Sequence, residues 1–161
     1  MKLNGKVVSI REVQEVRLDR SNSEQSIVLK VSGYPIGIRR AYETVYPKPQ
    51  APLVVSTTVR VGKEPEKSVN YDDPDYIKKI SDWIYFEKFF IIHKCLSVDS
   101  NLIMENDCST IESIKLFELE LLNAGFSEGD IGRIFDAIQT ATNIQSKAIE
   151  EAKENFTASP T

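Results

Sequence analysis

His93, Cys95, Asp107 and Cys108 are the residues whose types could hold a metal, because imidazole, thiolate and carboxylate are the ligands zinc takes. Their spacing argues against it. His93 and Cys95 stand two apart in a helix-prone run, which points them to different sides, and the sequence has no C-x-x-C or H-x-x-x-H pair. His93 is also the one histidine, so a Ser-His-Asp hydrolase would have to use it as base, yet no G-x-S-x-G turn accompanies it. Asp72, Asp73 and Asp75 crowd together around Pro74, where carboxylates serve a helix start rather than paired acid–base work. Glu118, Glu120 and Glu128 fall where solvated helix faces are expected. Gly33-Tyr34-Pro35-Ile36-Gly37 carries two glycines but neither the Walker spacing nor a G-x-G-x-x-G, so it reads as a turn. The expectation is a protein with no catalytic residues, no metal and no cofactor.

The elements around these residues predict an α+β chain: a small antiparallel β-rich N-terminal region over 1–62, a proline-rich connector at 46–52, a helical region of about four helices over 70–157, and a frayed tail at 158–161. Lys6–Leu18 and Ser26–Val31 are rich in β-branched residues and read as an antiparallel pair, with Asp19–Gln25 as the polar loop between them. Gly37–Val45 fits both periods: Ile38, Tyr42 and Val45 suit a helix, while Tyr42, Thr44 and Tyr46 alternate as in a strand, and helix or irregular structure is favoured. Tyr46-Pro47-Lys48-Pro49-Gln50-Ala51-Pro52 has fixed φ at three prolines and favours an extended connector. Leu53–Val61 is β-prone, and Gly62–Ser68 is expected as a charged loop.

Asp73 can accept from free first-turn amides, Pro74 needs no partner at the next position, and Asp75 suits the positive helix end. Ser109 and Glu112 match a capping box ahead of Ile114, Phe117 and Leu121, with Gly125 as a left-handed cap. Ser127 and Asp130 open a helix carrying Ile131, Ile134, Phe135 and Ile138, expected to end at Thr140–Asn143 before a last helix over Gln145–Phe156. No period of 20 to 50 residues recurs, which argues against a solenoid or propeller.

The helix after Asp73 is apolar over much of its circumference. Ile77, Ile80, Ile84 and Ile91 form one stripe, Tyr76, Trp83, Phe86 and Phe90 another, and Tyr85, Phe89 and Ile92 widen the arc. Such a helix is either central to the core or a gripping surface. Tyr76, Ile80, Trp83, Phe86, Phe89 and Phe90 are the expected partner-binding residues, used on a protein partner or a second copy of the chain.

Charge narrows the partners. Twenty Lys plus Arg against 24 Asp plus Glu give −4, which supplies no broad cationic field for a nucleic-acid backbone, and Arg39-Arg40 beside Tyr42 and Tyr46 reads as ordinary surface. Phe89–Ile92 is far too short to span a bilayer, and Met1-Lys2-Leu3-Asn4-Gly5-Lys6 does not resemble a leader. Two cysteines make no disulfide framework, so a cytoplasmic setting is expected, without membrane or nucleic acid.

The order of a β-type start, the Tyr46–Pro52 stretch, the Asn70-Tyr71-Asp72-Asp73-Pro74-Asp75-Tyr76 opening and the turn Ala124-Gly125-Phe126-Ser127-Glu128-Gly129-Asp130-Ile131 resembles the tail assembly chaperone-like proteins of long-tailed bacteriophages. The likeness runs from about Tyr34 onward. It implies a non-enzymatic assembly factor of the host cytoplasm that binds the tape measure protein, aids recruitment of tail tube protein, and is absent from the finished virion. Trp83–Ile92 departs from the family, where a more polar, alanine-rich helix is usual. A structural virion component, in the tail or the head-to-tail connector, is the rival expectation.

Overall fold

The computed structural model describes residues 2–3, 6–7, 13–19, 26–55, 67–99 and 101–157, with side chains described from Val13 to Asn143. The chain is α+β. Its elements are β1 (Lys2–Leu3), β2 (Lys6–Val7), β3 (Val13–Leu18), β4 (Ile27–Ser32), α1 (Ile38–Val45), β5 (Leu53–Val55), β6 (Lys67–Val69), α2 (Pro74–Leu96), α3 (Ile111–Asn123) and α4 (Glu128–Thr157). The described strands form three antiparallel pairs, β1 with β2, β3 with β4 and β5 with β6. No described helix is long and apolar enough to cross a membrane.

The β3–β4 pair is as the β-branched runs predict, in a register that sets Val16 opposite Leu29 and Leu18 opposite Ile27. Val16, Leu18, Leu29 and Val31 alternate inward and are buried against the helices. The long run expected from Lys6 is two strands, β2 and β3, and residues 8–12 lie outside the described set, as do residues 20–25 of the expected loop and the frayed tail. The ambiguous segment resolves as α1, entered through Gly37 at φ 79°, a left-handed conformation that glycine adopts without steric cost. The expected charged loop gives way to strand at Lys67–Val69, because β5 recruits it: Leu53 pairs with Val69, and the Asn70 N–H donates to the Pro52 carbonyl at 2.8 Å. Of the expected Leu53–Val61 strand, β5 covers the first three residues and 56–66 are not described.

α2 starts where Asp73 and Pro74 require, with the Asp73 side chain accepting from the Tyr76 N–H at 2.9 Å. It is the central helix, packing on α1, β4, α3 and α4. Trp83, Phe89–His93, Cys95 and Leu96 are buried, whereas Ile77 in its first turns and Ile84 and Tyr85 at its middle are exposed. Its C-terminal half therefore belongs to the core, while the part before Phe89 buries Trp83 and projects Ile77, Ile84 and Tyr85 outward.

α3 begins one residue later than the expected Ser109–Glu112 box. The Ser109 N–H is bound by Asp107 Oδ1 in a local turn, which leaves Thr110 as cap: Thr110 Oγ1 accepts from the Ser113 N–H at 3.1 Å, and Ser113 Oγ accepts from the Thr110 N–H at 2.9 Å. Gly125, at φ 81°, ends α3 in a Schellman arrangement, with its N–H on the Leu122 carbonyl and the Phe126 N–H on the Leu121 carbonyl. Ser127 and Asp130 open α4 as expected, the carboxylate accepting from both the Ser127 N–H and its hydroxyl.

The break expected at Thr140–Asn143 does not occur, and α4 runs on for 30 residues. Both threonines bond back along the helix, Thr140 Oγ1 to the Asp136 carbonyl and Thr142 Oγ1 to the Ile138 carbonyl, which accommodates them inside it. Thr142 Oγ1 also accepts the Tyr34 N–H at 2.9 Å, and Ala141 is fully buried, so tertiary contacts hold the helix through a weak stretch of sequence. Among the described residues one helix, α1, thus stands before the connector and three, α2 to α4, after it.

Candidate functional site

Three local decisions build an apolar cleft at one end of the helical layer. α2 presents Tyr85, Lys88 and Phe89 on successive turns of one side. α3 carries more leucine than its core face needs: Ile114, Phe117 and Leu121 are buried, while Leu116, Leu119 and Leu122 are each at least half exposed. The Gly125 turn then swings Phe126 and the first turn of α4 across the open end, placing Ile131 at the base.

The resulting cleft measures about 560 Å³. Tyr85, Phe89, Leu119, Leu122, Phe126 and Ile131 give it apolar walls, with Lys88, Glu118 and Glu128 among them as the charged groups. Phe89 and Ile131 are buried and form a fixed floor, whereas Tyr85, Leu119 and Leu122 are 48, 50 and 64% exposed and form the walls. Tyr85 meets Phe89 edge-on at 5.2 Å and donates its hydroxyl to Glu118 Oε1, which bridges α2 to α3. That hydrogen bond, reinforced by partial burial, pushes the phenol up to about 12, so Tyr85 stays a neutral donor at physiological pH. This combination suits a helix side that lays alternate apolar anchors into a groove.

The six residues singled out from the sequence do not share one surface. Trp83 and Phe90 are buried against Tyr42, with ring centroids 5.0 and 5.4 Å away. Tyr76 is half-buried beside Tyr71, and Phe86 half-buried under the Lys115 ammonium at 5.6 Å. Ile80 packs against the core edge, and of the six only Phe89 lines the cleft. Leu119 and Leu122, which a single-stripe reading of α3 does not mark, line it instead. The available signal was Ile111-Glu112-Ser113-Ile114-Lys115-Leu116-Phe117-Glu118-Leu119-Glu120-Leu121-Leu122, which has apolar positions beyond a single stripe.

The residues weighed for chemistry are dispersed. His93 is buried edge-on to Phe117 at 5.0 Å, and burial, with the neighbouring Lys94 charge, holds its pKa below the ordinary value. The Cys95 thiol donates to the Gly33 carbonyl, and burial pushes the Cys108 thiol up to about 12, away from thiolate chemistry. Among the described residues no group of three or more His, Cys, Asp or Glu side chains comes together as a metal site would require. Tyr42 is fully buried and Arg39 pairs with Glu87 at 3.5 Å, so the Arg39-Arg40 stretch does not present an Arg–Tyr42 stacking surface. Comparison with protein-family models, with characterised proteins and with solved structures gives no match.

Proposed function

We propose that this chain is a non-catalytic assembly factor that holds the apolar stripe of a client helix in the α2–α3–α4 cleft. The observation that carries this is a buried floor, Phe89 and Ile131, bounded by the exposed walls Tyr85, Leu119 and Leu122. Water-exposed leucines around a preformed groove gain roughly 25 cal/mol for each Å² they bury, so covering them favours association. The resemblance to tail assembly chaperones of long-tailed phages supplies the client: the long, helical tape measure protein, kept soluble in the host cytoplasm while tail tube protein is recruited. The net charge of −4 supports that role by keeping the loaded complex soluble.

Co-expression with tape measure segments followed by pull-down tests this directly. The intact chain is expected to retain a segment with apolar residues at helical spacing, and Leu119→Asp with Leu122→Asp to lose it while remaining folded. Retention of the client by that double variant, or no capture by the intact chain, overturns the proposal.

A second reading, a permanent virion component, is favoured by the β5–β6 ribbon, whose Leu53, Val54, Val55 and Val69 are all exposed. Mass spectrometry of purified particles separates the two: an assembly factor is missing, a structural subunit is present in fixed copy number.

A further inference from the structure

The β3–β4 pair treats its two edges differently. At β4 the Lys30 N–H leaves the sheet and donates to Asp99 Oδ2 at 2.9 Å, so the loop after α2 covers that edge. Along β3, among the described residues, no strand pairs with the outer edge. The edge is six residues long, contains no proline, and has one face fixed by the buried Val16 and Leu18.

The outward direction of the Lys30 N–H also sets the phase. Lys30 and Glu15 are opposite one another in the register, so they form a non-hydrogen-bonded pair. Alternation then aims the N–H and C=O groups of Val13, Glu15 and Arg17 at the open edge, while Gln14, Val16 and Leu18 bond to β4.

We propose that β3 pairs antiparallel with β3 of a second copy, making a four-stranded sheet across a two-fold axis at Val16. The charges select this register. Outward-bonding residues must face each other, which leaves Glu15 opposite Glu15, Glu15 opposite Arg17, or Arg17 opposite Arg17 as the central choices. The first and last oppose like charges. The middle register sets each Glu15 against the other copy's Arg17, whose Nε–H already donates to Asp19 of its own chain at 3.1 Å while its remaining guanidinium donors stay available to the facing carboxylate, and gives roughly four backbone hydrogen bonds from these two residue pairs.

Two further features agree with this register. On the solvent face the order across the sheet becomes Lys30, Glu15, then Arg17 of the second copy, so charge alternates from strand to strand. On the other face α4 packs over both β3 and β4. Two-fold symmetry places the second α4 about two strand spacings away, roughly 10 Å, which is the packing distance of neighbouring helices. The inference does not depend on the client cleft, which lies on α2, α3 and the start of α4.

Sedimentation equilibrium of the full chain, with Glu15→Arg, Arg17→Glu and the double exchange, tests it. Both residues are exposed, so the substitutions leave the core intact. The native chain is expected to dimerise, each single variant to dimerise about tenfold or more weakly, and the double exchange, which restores oppositely charged pairs across the seam but sets the new arginine opposite Lys30 and the new glutamate beside Asp19, to recover dimerisation in part. Amide exchange at Val13, Glu15 and Arg17 is expected to slow as concentration rises. A chain that stays monomeric at several hundred micromolar, or a dimer indifferent to the single variants, overturns the proposal.

Discussion

Tyr42 and Trp83 tie α1 to α2: the Tyr42 hydroxyl donates to the Trp83 backbone carbonyl at 2.6 Å, their rings lie 5.0 Å apart, and the Trp83 indole N–H donates onward to the Tyr46 carbonyl at 2.8 Å. The first helix and the connector are thereby bolted to the middle of the longest apolar helix. Tyr42→Phe keeps the ring and loses the donor, and is expected to cost about 1 kcal/mol in urea unfolding. Trp83→Ala removes the packed indole and leaves the Tyr46 carbonyl without it, and is expected to cost about 3–5 kcal/mol. Equal costs for the two variants would contradict this account.

The cleft walls and the core should respond in opposite ways. Leu119→Ser and Leu122→Ser are expected to change stability by no more than about 0.5 kcal/mol, because both side chains are at least half exposed. Each is expected to weaken client-helix binding by about tenfold, the effect of truncating a central anchor. Phe117→Ala, on the buried side of the same helix, is expected to lose about 3–5 kcal/mol of stability instead. Calorimetric titration and urea unfolding of the same variants separate the two effects.

The start of α4 forms part of the cleft, so its cap should affect both folding and binding. Ser127 and Asp130 satisfy one another's backbone, and Ser127→Ala is expected to cost about 1 kcal/mol. Hydrogen exchange should quicken in the first turn of α4, and client affinity should fall with it. Unchanged exchange there would show that the cap is dispensable.

His93 makes stability depend on pH in the mildly acidic range. Its pKa lies below the ordinary 6.5, chiefly through burial and then Lys94, opposed by the Asn106 backbone, Asp107 and Glu120. Between the folded value and 6.5 the unfolded chain binds more protons, so stability is complete above about pH 6.5 and declines as pH falls through that window. The lowered carboxyls of Asp99 and Asp107 act at lower pH, below their ordinary 3.8. Glu120 acts below its ordinary 4.5: burial raises its carboxyl, but hydrogen bonds from Asn106 and Glu105 lower it further. His93→Leu is expected to flatten the urea midpoint between about pH 7 and 5; parallel curves for the two proteins would assign the effect elsewhere.

Local signals were legible where a few neighbouring residues decide the outcome. The Asp73–Pro74 start, the Gly125 stop and the Ser127–Asp130 opening each depend on hydrogen bonds within a few positions, and all three stand in the fold. The capping box before α3 slipped by one residue because Asp107 took the Ser109 amide first. The break at Thr140–Asn143 misled for a different reason: the weak helix formers there are supported by Tyr34, which lies far away in sequence.

The composition of this chain, its caps and its apolar periods determined an α+β protein with an acidic balance and an over-apolar central helix, because those properties follow from residue type and short-range spacing. Which apolar side chains remain in water was decided only in three dimensions. Periodicity marks Trp83, Phe86, Phe89 and Phe90 alike, yet α1 covers Trp83 and Phe90, while among the described residues no equivalent cover buries Leu119 and Leu122 on α3. Burial depends on what packs opposite a side chain, and that neighbour is chosen by the whole fold.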